Sequence, residues 1–146
     1  MPQSTGCSIF LVIELENARQ FLKQHRHGVL ATIGREGRPQ LSNILYVLDA
    51  DGRIKISVTQ TRVKTRNLRR DPRASLHVQG RDPYEYLVVD GTAELIEGDG
   101  LAEKLRDYYR KARGEHPDWA EYDAAMIKEQ RLLVSFAIER AYGQLR

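Results

Sequence analysis

Residues 59–67, TQTRVKTRN, carry the strongest chemical signal in the chain. A strand that runs into a helix start exposes unpaired backbone N–H groups and a partial positive charge. Arg62 and Lys64 then place mobile cations beside those donors. Such a junction suits a phosphate. Without a ligand, the same side chains would form a solvated basic face opposing the helix dipole. Arg69, Arg70 and Arg73 are expected to pair with acids later in the chain. From Arg62 to Arg73 six cations face only Asp71, in a chain whose net charge is +3, so the basicity is local. A local cluster marks a site for a small anionic ligand. A nucleic-acid interface is not expected, since no helix-turn-helix, zinc-finger or aromatic RNP pattern accompanies it.

Other reactive residue types offer less. His25 and His27 in HRHG lie at a helix end and point in different directions, with no acidic or thiol cluster to complete a metal shell. His77 reads as a strand residue and His116 as a turn residue, neither beside a nucleophile. Cys7 is the only cysteine, which excludes an intrachain disulfide and a cysteine metal cluster. GxSxG, HExxH, P-loop and GxGxxG patterns are absent, so hydrolase, zincin, NTPase and Rossmann chemistry are not indicated. Tyr108, Tyr109, Trp119 and Tyr122 are expected in a helical core or subunit interface, or as the wall of an aromatic-ligand pocket.

The elements that must position these residues follow from periodicity. Leu15, Ala18, Phe21 and Leu22 share one face of a helix over residues 14–26, stopped by Gly28. Residues 28–34 and 40–48 predict two strands joined by the turn-forming REGRP. The second closes through Gly52 into a third strand over 53–59. Thr61 is the expected cap of a helix reaching Arg70, and Asp71-Pro72 ends it. Residues 73–79 and 84–96 read as further strands, with Gly91 at a bulge. Helices over 101–112 and 117–129 follow, the latter with Pro117 in its first turn, and a last strand runs over 132–138. Six short strands with late helices predict an antiparallel sheet that closes on itself, because an open sheet would expose its edges.

At 146 residues, 41% hydrophobic and 29% charged, the chain has the composition of one globular domain. Residues 14–146 are assigned to it, and residues 1–13 are unassigned. The apolar run from Ile9 to Ile13 is too short for a membrane span and has no basic leader, so no membrane partner and a cytoplasmic location are expected.

Four stretches together resemble the split-barrel flavin and deazaflavin oxidoreductases related to pyridoxamine 5′-phosphate oxidase, specifically the class using coenzyme F420. They are HGVLATIGREGRPQLSNILY, TRVKTRNLRRDPRASLHV, YLVVDGTAELI and GEHPDWAEYDAAMI. The resemblance implies a mainly β chain with helices, an α+β six-stranded antiparallel split β-barrel, forming a homodimer with two cofactor sites at its interface. It implies that Arg62 and Lys64 bind the cofactor phosphate, supported by Thr65, Arg66 and Asn67. Ser57, Val58 and Thr59 would run along the tricycle. Gln40, Ser42 and Asn43 would face the same groove, with Thr32 in reach. His77, Gln79 and Tyr142 would come from the partner subunit. The implied activity is hydride transfer from reduced F420 to an electron-poor conjugated C=C or C=N bond of a small organic substrate, with no metal. FMN is the alternative cofactor, in an FMN-dependent oxidoreductase, and relatives of this kind also include non-catalytic flavin, deazaflavin or haem carriers. The extended substrate-phosphate site of a true pyridoxamine phosphate oxidase is not visible in the sequence.

Overall fold

The computed structural model describes residues 11–146. Cys7 and residues 1–10 lie outside the described residues. In chain order the elements are β1 (Leu11–Ile13), α1 (Leu15–Lys23), β2 (His27–Ile33), β3 (Pro39–Leu45), β4 (Val47–Leu48), β5 (Ile54–Thr59), α2 (Val63–Arg70), β6 (Arg73–Gln79), β7 (Tyr86–Ile96), α3 (Leu101–Arg113), α4 (Trp119–Lys128) and β8 (Arg131–Gln144). All strand pairs are antiparallel, in the order β3-β2-β6-β7-β8-β5-β4, with β1 also on β8.

β3 and β4 sit at opposite ends of that order, yet only Tyr46 separates them in sequence. The sheet must therefore curl until its two ends meet at Tyr46, which is fully buried. The Tyr46 amide donates to the Arg26 carbonyl at 2.7 Å and its hydroxyl to the Leu22 carbonyl at 2.8 Å. The amide bond continues the β2–β3 register one residue past the His27–Leu45 pair, and the hydroxyl bond fixes the ring against α1. What reads as one strand over 40–48 is thus two. With β1, this raises the sheet from the expected six strands to eight within the same split-barrel architecture.

Alternation decides what the curl encloses. Leu30, Leu76, Val78, Leu87, Val89, Ile54, Ile56 and Phe136 point inward and form the core, and α1 adds Ala18, Phe21 and Leu22. A second apolar cluster of Val47, Leu105, Tyr108, Tyr122 and Leu133 seats α3 and α4 outside β5 and β8.

Three local expectations change. Arg62, in extended conformation, occupies the N-cap of α2 without a side-chain bond; Thr61 lies outside the helix, and its carbonyl accepts from Arg66 Nη2 at 2.8 Å. Pro117 precedes the first turn of α4, whose N-cap is Asp118, accepting from the Glu121 amide. β8 extends to Gln144, twice as far as its apolar run indicates, because past the unpaired bulge residue Glu139 it pairs again, with β7 from Arg140 and with β1 from Ala141. The bulge at Gly91 is present: Asp90 faces Arg140, but Gly91 faces Ile138.

Candidate functional site

The gap in the barrel lies where β5 outruns its neighbour. β4 pairs only with Ile54 and Lys55, so from Ile56 to Thr59 one edge of β5 has no strand partner among the described residues. β5 leads straight into α2, fixed by Thr65 Oγ1 donating to the Thr59 carbonyl at 2.8 Å. Beside this edge, a cleft of about 440 Å³ opens between β3, the start of α2 and the α3–α4 pair. Asn43, Ser57, Lys64, Tyr109, His116 and Arg131 line it, among others.

Its electrostatics are cationic. Lys64 is half-buried, and no carboxylate among the described residues pairs with it or with Arg62. Burial, then the neighbouring charges of Arg62 and Arg131, holds the Lys64 ammonium below its ordinary pKa. Arg131 is steadied by Glu129 at 2.9 Å and donates to the Ser57 carbonyl at 3.4 Å. The opposite wall is aromatic. Tyr109, His116, Trp119 and Tyr122 pack with ring centroids 5.0 to 5.8 Å apart, mostly edge to face. The hydroxyls of Tyr108 and Tyr122 are spent on the Leu45 and Leu105 carbonyls. Burial raises both phenols, Tyr122 to about 12, with Tyr108 adding to the rise at Tyr122. His116 Nδ1 accepts from the Asp118 amide at 2.9 Å, which selects the tautomer carrying hydrogen on Nε2.

The structure gathers only part of the expected site. Asn43, Ser57 and Lys64 share the cleft, with Arg62 at the adjoining helix cap and Thr59 at the end of the strand. Gln40 and Ser42 do not join Asn43: they pair with Thr32 and Leu30, on the opposite face of β3. There they form a closed relay. Thr32 Oγ1 donates to Gln40 Oε1 at 3.0 Å, Gln40 Nε2 to Ser42 Oγ at 3.1 Å, and Asn67 Nδ2 to Thr32 Oγ1 at 3.1 Å. Thr65 is likewise consumed at the junction, and Val58 points into the core. Arg66 lies over a separate cleft with Gln40 and Asn67.

His77, Gln79 and Tyr142 lie on the outer sheet face, where Asn43, Val29, His77, Val88 and Tyr142 form one cross-strand row. His77 is two strand spacings from Asn43, about 10 Å, and Tyr142 is four, about 19 Å. Within one chain they do not reach the cleft. Arg131, Arg113 and His116 escaped the sequence reading. The final strand was expected to start one residue after Arg131, and His116 gave no signal beyond a turn. Among the described residues no three His, Cys, Asp or Glu side chains converge as metal ligands, and no helix is long and apolar enough to cross a membrane.

A curled antiparallel split barrel with a cationic, aromatic-walled cleft at its gap defines a cofactor-binding class of fold. The chain belongs to the pyridoxamine 5′-phosphate oxidase family, which it matches over residues 15–145. It is similar to a conserved hypothetical protein from Mycobacterium tuberculosis, with 27% identity and a TM-score of 0.72 over 92% of this chain and 86% of that one. It is also similar to a haem-binding protein from Mycobacterium smegmatis, with 26% identity and a TM-score of 0.68, covering 90% of this chain but 55% of that one. An F420 reductase shares the fold at 22% identity and a TM-score of 0.66, over 84% of this chain and 94% of that one.

Proposed function

We propose that this protein is an F420H2-dependent reductase that passes a hydride to an electron-poor conjugated C=C or C=N bond of a small organic substrate. The observation that carries the reading is the group of Arg62, Lys64 and Arg131 beside the unpaired edge of β5, with no carboxylate on Arg62 or Lys64. A bound phosphate relieves their mutual repulsion, so the donor set fits the phosphate-bearing cofactor that the sequence resemblance implies.

When bound, the reduced deazaflavin supplies a hydride from its central ring carbon. The chain's part is to bind and orient. Arg62 and Lys64 hold the phosphate, the backbone N–H groups of Ser57 and Thr59 on the strandless edge of β5 meet the pyrimidine rim, and Tyr109 and His116 exclude water from one side. No side chain in the cleft is assigned as a proton donor, and solvent fills that role. The working unit in this reading is a homodimer. The outer face carries exposed Leu41 and Val12, and His77, Gln79 and Tyr142 serve the site of a second copy from that face. A cytoplasmic location belongs to the same reading.

The competing reading is an FMN-dependent oxidoreductase, or a non-catalytic carrier of flavin, deazaflavin or haem. It draws on the same observation, because the cations suit the phosphate of FMN equally. Parallel fluorescence titrations with F420 and FMN at one salt concentration decide. Tight F420 and weak FMN binding is the expected result, and the reverse order or no F420 affinity at tens of micromolar overturns the proposal.

A further inference from the structure

Beside the Lys64 cleft lies a second pocket, about 480 Å³ in volume, between α3, α4 and the start of β8. Leu101 and Leu105 from α3, Met126 and Ile127 from α4 and Leu132 from β8 give it apolar walls. That volume is in the range that accepts a small organic molecule. Met126 and Arg131 line both spaces, so the two adjoin. Met126 is unbranched and partly buried, a side chain that can repack around what enters.

The electrostatics reverse those of the first cleft. The charged residues in the lining are already paired: Glu97 with Arg69 at 2.6 Å, Asp123 with Arg106, and Arg131 with Glu129 at 2.9 Å. What remains unspent is neutral. Gln60 and Gln130 both line the pocket, and neither side-chain amide bonds to another described residue. Each offers a donor and an acceptor.

Gln130 carries a second signal. It follows the end of α4 with φ at +54°, the left-handed position that glycine usually takes at a helix end, and it is the single non-glycine residue with a positive φ among the described residues. The Gln60 amide donates to the Gln130 carbonyl at 2.9 Å, and the Gln130 amide to the Ile127 carbonyl at 3.1 Å, which hold the backbone there. A side chain kept at a strained position, yet bonded to nothing in the chain, points to a contact outside it.

We propose that this pocket binds an uncharged, largely apolar small molecule whose carbonyl, amide or hydroxyl group meets Gln60 and Gln130. The apolar walls reward burial, the two amides fix orientation, and with the neighbouring charges already paired a bound ion would lose its hydration without a partner. The site does not depend on which cofactor the Lys64 cleft holds.

Titration of the full chain with phenylnaphthylamine, an uncharged probe that brightens on leaving water, tests it, followed by displacement with methyl heptyl ketone and with nonanoate, an anion of the same carbon count. Saturable binding is expected, with the ketone displacing the probe at least about tenfold better than the anion. Ala102→Trp, on the exposed part of α3 that lines the pocket, should fill the space and weaken the probe and the ketone alike by about tenfold or more. Gln60→Ala/Gln130→Gly should weaken the ketone and still fold, because glycine takes the left-handed backbone freely. Lys64→Gln should leave both affinities unchanged. Absence of saturable binding at tens of micromolar probe overturns the proposal, as does ketone affinity retained in either pocket variant. Displacement by nonanoate as strong as by the ketone overturns the uncharged ligand class, and a loss in Lys64→Gln as large as that in Ala102→Trp places the probe in the first cleft and overturns the site.

Discussion

Asn67 Nδ2 donates to Thr32 Oγ1 at 3.1 Å, and both side chains are almost fully buried. One bond thereby ties α2 to β2, and Asn67 also receives a hydrogen bond from Arg70. A side chain used on both its amide atoms has little left to offer a ligand. Asn67 and Thr32 are framework residues that hold the helix carrying Lys64 against the barrel.

The Asn67→Ala variant leaves Thr32 Oγ1 without its donor and Arg70 without one acceptor. The expected loss is about 1–3 kcal/mol of stability, the range for a buried polar group that loses its partner. Urea unfolding followed by circular dichroism measures it. A variant as stable as the parent contradicts the framework role.

The strand positions and the basic junction were legible in the sequence because they rest on short-range signals: alternation in 73–79, Gly52 at the turn, and Asp71-Pro72 at the helix end. What was not legible depends on registers between distant segments. Gln40, Ser42 and Asn43 are neighbours in sequence, but the pleat sends Asn43 to the cleft and the other two to the Thr32 relay. Arg131 joins Lys64 only because β8 pairs with β5. Nothing local to either residue records that contact. The split at Tyr46 was hidden in the same way, since its partners, Leu22 and Arg26, lie in the preceding helix and the turn after it.

The bulge at Gly91 is a steric requirement. A Cβ there would lie 1.9 Å from the Ala137 carbonyl oxygen, which is backbone and cannot rotate away. Gly91→Ala therefore forces β7 and β8 apart at the centre of the sheet, at an expected cost of about 3 kcal/mol, the upper end of ordinary overpacking. Thermal melting of this variant beside Gly98→Ala, where nothing lies within 4 Å of the added atom but the backbone holds φ at +79°, sets the clash against backbone strain alone, and the Gly91 variant should melt lower. Equal melting temperatures for the two contradict the account.

In the proposed reading, Lys64 links cofactor affinity to pH. Its pKa in the free protein is depressed, by burial first and then by Arg62 and Arg131, and a phosphate beside it favours the charged form. Binding is therefore strongest while Lys64 is protonated and weakens as pH rises through its depressed pKa. The stability of the folded chain has the opposite sign: it rises with pH between the depressed value and the ordinary lysine value, because the unfolded state holds the proton more tightly. Lys64→Arg, with a guanidinium charged throughout, should flatten the fall in affinity, and Lys64→Ala should weaken binding by about 1.5–3 kcal/mol at neutral pH. Dissociation constants from pH 7 to 10 for the parent and both variants test this. A parent profile as flat as that of Lys64→Arg removes Lys64 from the phosphate site.

Leu41 is 63% exposed and Val12 79% exposed, both on the outer sheet face that also carries His77 and Tyr142. Apolar side chains on an extended sheet surface gain by association, and a two-fold arrangement would cover this face with a second copy of itself. Leu41→Lys puts a charge on that surface and, by symmetry, a second one from the other copy. Light scattering at micromolar concentration should give twice the 16.8 kDa chain mass for the parent and a shift toward the single chain for Leu41→Lys. Cofactor affinity should fall as the dimer dissociates if His77 and Tyr142 act across the interface, and His77→Ala should then weaken binding in the dimer but not in the dissociated variant. A parent that is monomeric yet binds cofactor tightly would confine the site to the Lys64 cleft of one chain and leave those two residues without a role in it.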